Sequence, residues 1–193
     1  GSRPQIVGIG GQCQMTSDHA NGTVTSAMCL NCHYVKNHSL GIVELANPDD
    51  FSLWAGTQTA FCITCHDGTP PAGVVFSTAT GTGYDKSTFV GSTHDQQFGG
   101  AACSHCHNGH GSNNASLLKQ RSVKTDFNQW SQGDGDYALC WNCHPESSIV
   151  TGNNAFNDLH DKHVGSEDSP CYICHDVHAS ADAGEAGLIN FSA

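Results

Sequence analysis

The sequence predicts a mostly irregular chain with short α-helices and few strands, wrapped around bulky groups that it does not itself encode. Three observations point there. One pattern, Cys-x-x-Cys-His, occurs five times in 193 residues, at 29–33, 62–66, 103–107, 140–144 and 171–175. Hydrophobic residues make up 37% of the chain and glycines number 22, which is poor material for an ordinary apolar core. The copies recur once per 193/5, about 39, residues, so little chain is left between them for anything but wrapping.

The pattern carries a specific chemistry. Two cysteines three apart on a helical turn point the same way. Their thiols can join the two vinyl groups of one porphyrin, and the following histidine swings under the ring as the proximal iron ligand. Cys-x-x-Cys-His is the attachment signature of c-type haem. The pairs are Cys29 and Cys32, Cys62 and Cys65, Cys103 and Cys106, Cys140 and Cys143, and Cys171 and Cys174, which use 5 × 2 = 10 of the 11 cysteines. The matching proximal histidines are His33, His66, His107, His144 and His175. A disulfide framework does not need a histidine after every second cysteine, and zinc sites group four ligands, which five three-ligand sets do not supply. Five covalent haem c groups are therefore expected, with the whole chain, 1–193, as one haem-binding domain.

Taken in order, residues 1–18 form an N-terminal arm without a haem motif. Its apolar run of Ile6, Val7 and Ile9 reads either as a loose terminus or as an arm that docks on another subunit. Cys13 is the unpaired cysteine and receives no role. The haem-binding part spans 19–180 and alternates long and plain units. In the long units, at Cys29, Cys103 and Cys171, an upstream histidine (His19, His94, His163) and a downstream one (His38, His110, His178) flank the motif, an internal repeat. His110 and His178 follow their motif histidines by three positions. Two imidazoles on one helical face cannot straddle one porphyrin, so each should serve a different haem.

The plain units, at Cys62 and Cys140, have lead-ins that read as helices. Asn47-Pro48-Asp49-Asp50 reads as a start signal for a helix over 51–65, and Asp134-Gly135-Asp136 leads into the motif at Cys140. Residues 67–92 are loop-like, with Val74-Val75-Phe76 the best strand candidate, and Leu117, Leu118 and Trp130 are expected to pack on haem faces. Residues 181–193 are a C-terminal tail.

Counting ligands predicts bis-histidine irons. Only Met15 and Met28 could supply sulfur, and Met28 abuts Cys29. Thirteen histidines less five proximal ones leave eight. His105, inside a motif, and His160, competing with His163, read as surface residues. The distal candidates are His19, His38, His94, His110, His163 and His178, with His19 and His38 competing for one place.

Exclusions follow from charge and hydropathy. A formal charge of −11 argues against nucleic acid as a partner, and no apolar run is long enough to span a membrane. Such haems are attached outside the cytoplasm, so an exported chain, extracellular or at the cell surface, is expected, with the periplasm as the alternative. All five motifs end in histidine and the ligand supply exceeds need, so no open iron and no enzyme activity are expected.

With its repeated motifs, upstream histidines and low helix content, the chain from His19 to about Ser180 resembles multihaem c-type cytochromes. Within them it resembles the polymerising extracellular cytochromes known as nanowires. That resemblance implies a stacked row of bis-histidine haems, single-electron hopping along it, and a homopolymer in which one subunit's histidine completes a neighbour's haem, His19 being the best candidate. It also implies redox partners: other cytochromes, a terminal acceptor or a mineral. A soluble pentahaem donor to a periplasmic terminal reductase is the alternative of similar size.

Overall fold

In a computed structural model, residues 4–19, 24–69, 71, 85–100, 102–122, 135–150, 159–167 and 169–178 are described, the side chain of His38 excepted. Irregular backbone dominates. The α-helices are single turns or little more: α1 Ser26–Leu30, α2 Gln58–Ile63, α3 Thr93–Gln97, α4 Cys103–Cys106, α5 Ala138–Trp141, α6 Glu146–Ile149 and α7 Cys171–Cys174. The described strands are β1 His33–Tyr34 and β2 Glu44–Leu45, paired antiparallel with His33 opposite Leu45 and Tyr34 opposite Glu44. The expected fold class, mostly coil with short helices and few strands, is what the structure has.

The chain groups into two compact units, 1–117 and 118–193. The first holds the motifs at Cys29, Cys62 and Cys103. The second holds those at Cys140 and Cys171.

Local sequence explains the short elements. Thr25, Thr57 and Ser92 cap α1, α2 and α3, their hydroxyls accepting from the N–H of Met28, Ala60 and Asp95 at 3.4, 3.1 and 3.3 Å. The helix expected over 51–65 is confined to Gln58–Ile63. The supposed start signal folds as turns instead: the Asn47 side chain accepts from Asp49 N–H at 3.1 Å and Asp50 from Ser52 N–H at 2.9 Å. Asn and Asp side chains that bond their own backbone in this way compete with helix. The helix then waits for the next capping residue, Thr57, which Trp54 Nε1 ties in place through its carbonyl at 2.9 Å.

The described part of the N-terminal arm is ordered by its own main chain rather than loose. Gln12 and Cys13 N–H donate to the carbonyls of Gln5 and Ile6, both at 3.0 Å, which folds the arm back on itself. The strand candidate at 74–76, Trp130 and the tail 181–193 lie outside the described residues.

The protein core is small. Among the described residues the buried apolar side chains are Cys13, Ala46, Phe89 and Ala102 in the first unit and Tyr137, Val150 and Val164 in the second. Large apolar side chains stand outward, Ile9 at 95% and Leu40 at 73% exposure. Helices of four to six residues are not stable alone in water, and this core cannot offset the chain entropy of so many ordered residues. Folding should therefore require the attached cofactor. The chain produced without haem attachment is expected to show no cooperative thermal transition by circular dichroism, and a sharp one in that apoprotein would overturn this.

Candidate haem sites

Each motif is built on a helical turn that puts its two cysteines on one face. In the motifs at Cys62, Cys103, Cys140 and Cys171, the N–H of the trailing histidine donates to the first cysteine's carbonyl at 3.1, 2.8, 3.0 and 3.0 Å. That bond closes the turn and delivers the histidine to its end. The first motif closes through Cys32 N–H to Cys29 carbonyl at 3.2 Å, and His33 enters β1 instead. No two of the eleven cysteines are joined in a disulfide, and among the described residues no group of three or more histidine, cysteine or acidic side chains converges as a bare metal site requires.

Packing brings motifs together inside each unit. Buried Thr59, on α2, joins the start of α4: its N–H donates to Gly100 carbonyl at 2.8 Å and its hydroxyl accepts from Ala102 N–H at 3.3 Å. Gly100 has φ +81°, and a Cβ there would lie 2.8 Å from the Thr57 side chain, so only glycine allows the approach. A hydrogen bond between the two thiols of Cys62 and Cys103, with Cys62 donating, draws the Cys103 pKa down and pushes Cys62 up. In the second unit, burial and then the neighbouring Cys140 push Cys171 up to about 11. The second unit also holds a buried carboxylate, Asp136, paired with Arg121 at 2.6 Å. Next to it, the buried Tyr137 hydroxyl has no hydrogen-bond partner among the described residues.

The histidines form a pattern. His33 stacks against His110 with ring centroids 5.8 Å apart and planes 13° from parallel. His160 stacks against His175 at 6.1 Å and 11°, and His19 faces His66 at 6.2 Å and 51°. A metal–imidazole bond is about 2 Å long, and the ring centre lies about 1 Å further on, so a metal held between two imidazoles would separate their centroids by about 6 Å. The donor sets therefore fit haem iron. Burial, opposed by the Ser116 contact, keeps His107 below the ordinary imidazole pKa, and burial with His33 and His19 does the same for His110. Both rings are then neutral at pH 7, the form that binds a metal. A cavity of about 380 Å³ with a mixed polar and apolar lining, Val7, Gln14, Val24, Thr25 and Ser26 among it, lies beside the leading thiol of the first motif, Cys29.

These placements change some expectations. His19, the candidate for a ligand shared with a neighbouring subunit, has contacts within its own chain. Its Nδ1 lies 2.7 Å from Gly109 carbonyl and its ring faces His66 of the same chain. His110, three residues after His107, faces His33 of another motif. His160, read from sequence as a surface residue, is the ring beside His175, while the repeat-matched His163 is exposed. Residues Asp161–Ser166 wind as a π-type turn, so a count of residues back from the motif does not by itself fix which ring lies beside His175. His105 is exposed and stacks on Phe98 at 4.0 Å. His38 opens a 3-10 turn, His38–Leu40, and His94 lies in α3, half-buried, as is His178 at the chain's last described position. His144 is exposed on its turn, and Cys13 is buried with burial raising its pKa.

A family model described as the doubled CXXCH motif matches residues 94–148, under a third of the chain. No curated protein and no solved structure matches the chain. Gly100→Ala is expected to lower unfolding stability by about 1–2 kcal/mol through its left-handed backbone, with further loss from the Thr57 clash. Chemical denaturation of the haem-loaded protein checks this. The matched segment, the motif's repetition and the imidazole pairs together indicate haem c attachment and electron transfer, as in a multihaem c-type cytochrome.

Proposed function

We propose that this chain is a pentahaem electron carrier whose irons each take two imidazoles, and that it catalyses no reaction of its own. The observation that carries the reading is the set of three imidazole pairs at 5.8–6.2 Å, each joining a motif histidine to one from outside that motif. When bound, haem supplies reversible one-electron chemistry at its iron. The chain's own residues do the rest. The paired cysteines would hold the porphyrin covalently, and a second imidazole would occupy the iron site that a substrate would need. Thr59 and Gly100 hold the motifs at Cys62 and Cys103 side by side, which favours electron transfer between neighbouring sites.

The setting we read is outside the cytoplasm, with other redox proteins, a terminal acceptor or a mineral as partners. The filament reading rests on the resemblance to polymerising cytochromes, since His19 turns into its own chain. A soluble periplasmic donor to a terminal reductase is the second reading. Negative-stain microscopy of native protein separates them: long filaments support the first, dispersed particles the second.

Intact mass should show five haems per chain. His110→Ala and His160→Ala should each turn one low-spin iron high-spin, read by electron paramagnetic resonance, while all thioethers persist. His163→Ala should leave the spin state unchanged. An unchanged low-spin count in His160→Ala would overturn that pairing.

A further inference from the structure

Residues 108–117 follow directly on the motif at Cys103 and meet histidines of three different sites. Gly109 carbonyl lies 2.7 Å from His19 Nδ1, and Ser116 carbonyl lies 2.7 Å from His107 Nδ1. His110, in the same stretch, is the ring beside His33. His19 in turn faces His66. One short segment thus bears on the motifs at Cys29, Cys62 and Cys103.

A carbonyl can only accept, so Nδ1 of His19 and His107 must carry the proton. The lone pair is then on Nε2, where a metal would take it, and the bond makes the imidazole a stronger donor. The segment's shape is imposed rather than relaxed. Ser116 and Leu117 have φ +55° and +60°, a left-handed conformation that residues with a Cβ avoid. Ser17 holds it: its hydroxyl accepts from Leu117 N–H at 3.0 Å, and it exchanges two backbone bonds with Ser112 at 2.9 and 2.8 Å. Asn108 N–H donates to Leu117 carbonyl at 2.8 Å and closes the loop. At Gly111 a Cβ would collide with Gln12 carbonyl, so the segment lies flush on the chain beside Ser17.

We infer that residues 108–117, anchored by Ser17, are a shared clamp that positions axial imidazoles at three haem sites. Ser17 is a positioning residue, acting through the Ser116 carbonyl on His107. The inference rests on the haem reading above.

The test is Ser17→Ala in the haem-loaded protein, with Ser17→Thr as the conservative variant. Without the hydroxyl, the left-handed pair relaxes and the Ser116 carbonyl leaves His107. One haem's share of a spectroelectrochemical titration should then move to higher potential, because a weaker donor favours the reduced iron. Ser17→Thr should restore it, and five haems should remain by mass. An unmoved titration in Ser17→Ala with five haems attached overturns the clamp. Independently of any variant, the His107 Nδ1–H in wild-type protein labelled with 15N-histidine should exchange slowly with solvent, and rapid exchange also overturns it. Absence of haem at Cys103 and Cys106 by peptide mass mapping overturns the haem reading itself.

Discussion

A helical turn of four residues has almost no stability of its own, yet α4 and α7 are such turns and bear the motifs at Cys103 and Cys171. The rest of the structure depends on this constraint. The turn is useful because it sets two thiols on one face and a histidine at its end. It persists only if something outside the turn holds those three side chains. In the first unit, part of that support is visible in the protein: the Thr57 cap, the Thr59 bridge to Ala102 and the close approach at Gly100. The remainder falls to covalent attachment and ligation, consistent with a core of few buried apolar residues.

Much of this was legible in the sequence. The five motifs, the coil-rich class and the scarcity of strands follow from composition and spacing. What escaped sequence reasoning escaped for identifiable reasons. The segment 51–57 looked helical because Asn47, Asp49 and Asp50 can start a helix, but the same side chains close turns on their own backbone. His160 lost to His163 because the repeat counts residues, whereas the backbone at Asp161–Ser166 winds more widely than an α-turn. The arm's return through Gln5 and Ile6 is made of main-chain bonds, which side-chain patterns do not encode. No spacing rule could have revealed that Gly109 and Ser116 offer carbonyls to two imidazoles as far apart in sequence as His19 and His107.

Strain and function meet in the same place. Left-handed Ser116 and Leu117 each cost about 1–3 kcal/mol, and they persist beside the histidine whose ring they orient. Tyr137, also left-handed at φ +58°, starts α5 directly before the motif at Cys140. In both units, then, backbone that relaxed sequence would avoid stands next to a haem-attachment turn.

The imidazole pairs have a topological consequence. On the proposed ligation each iron ties two distant points of one chain, as a disulfide does. His33 and His110 are separated by 110 − 33 = 77 positions, and His160 and His175 by 175 − 160 = 15. Closing the longer loop removes more freedom from the unfolded chain, by (3/2)RT ln(77/15), about 1.4 kcal/mol at room temperature. The metal bonds would then act as staples of unequal strength, with the long-range tie at His33 and His110 restraining the amino-terminal unit far more than the local tie at His160 restrains the other.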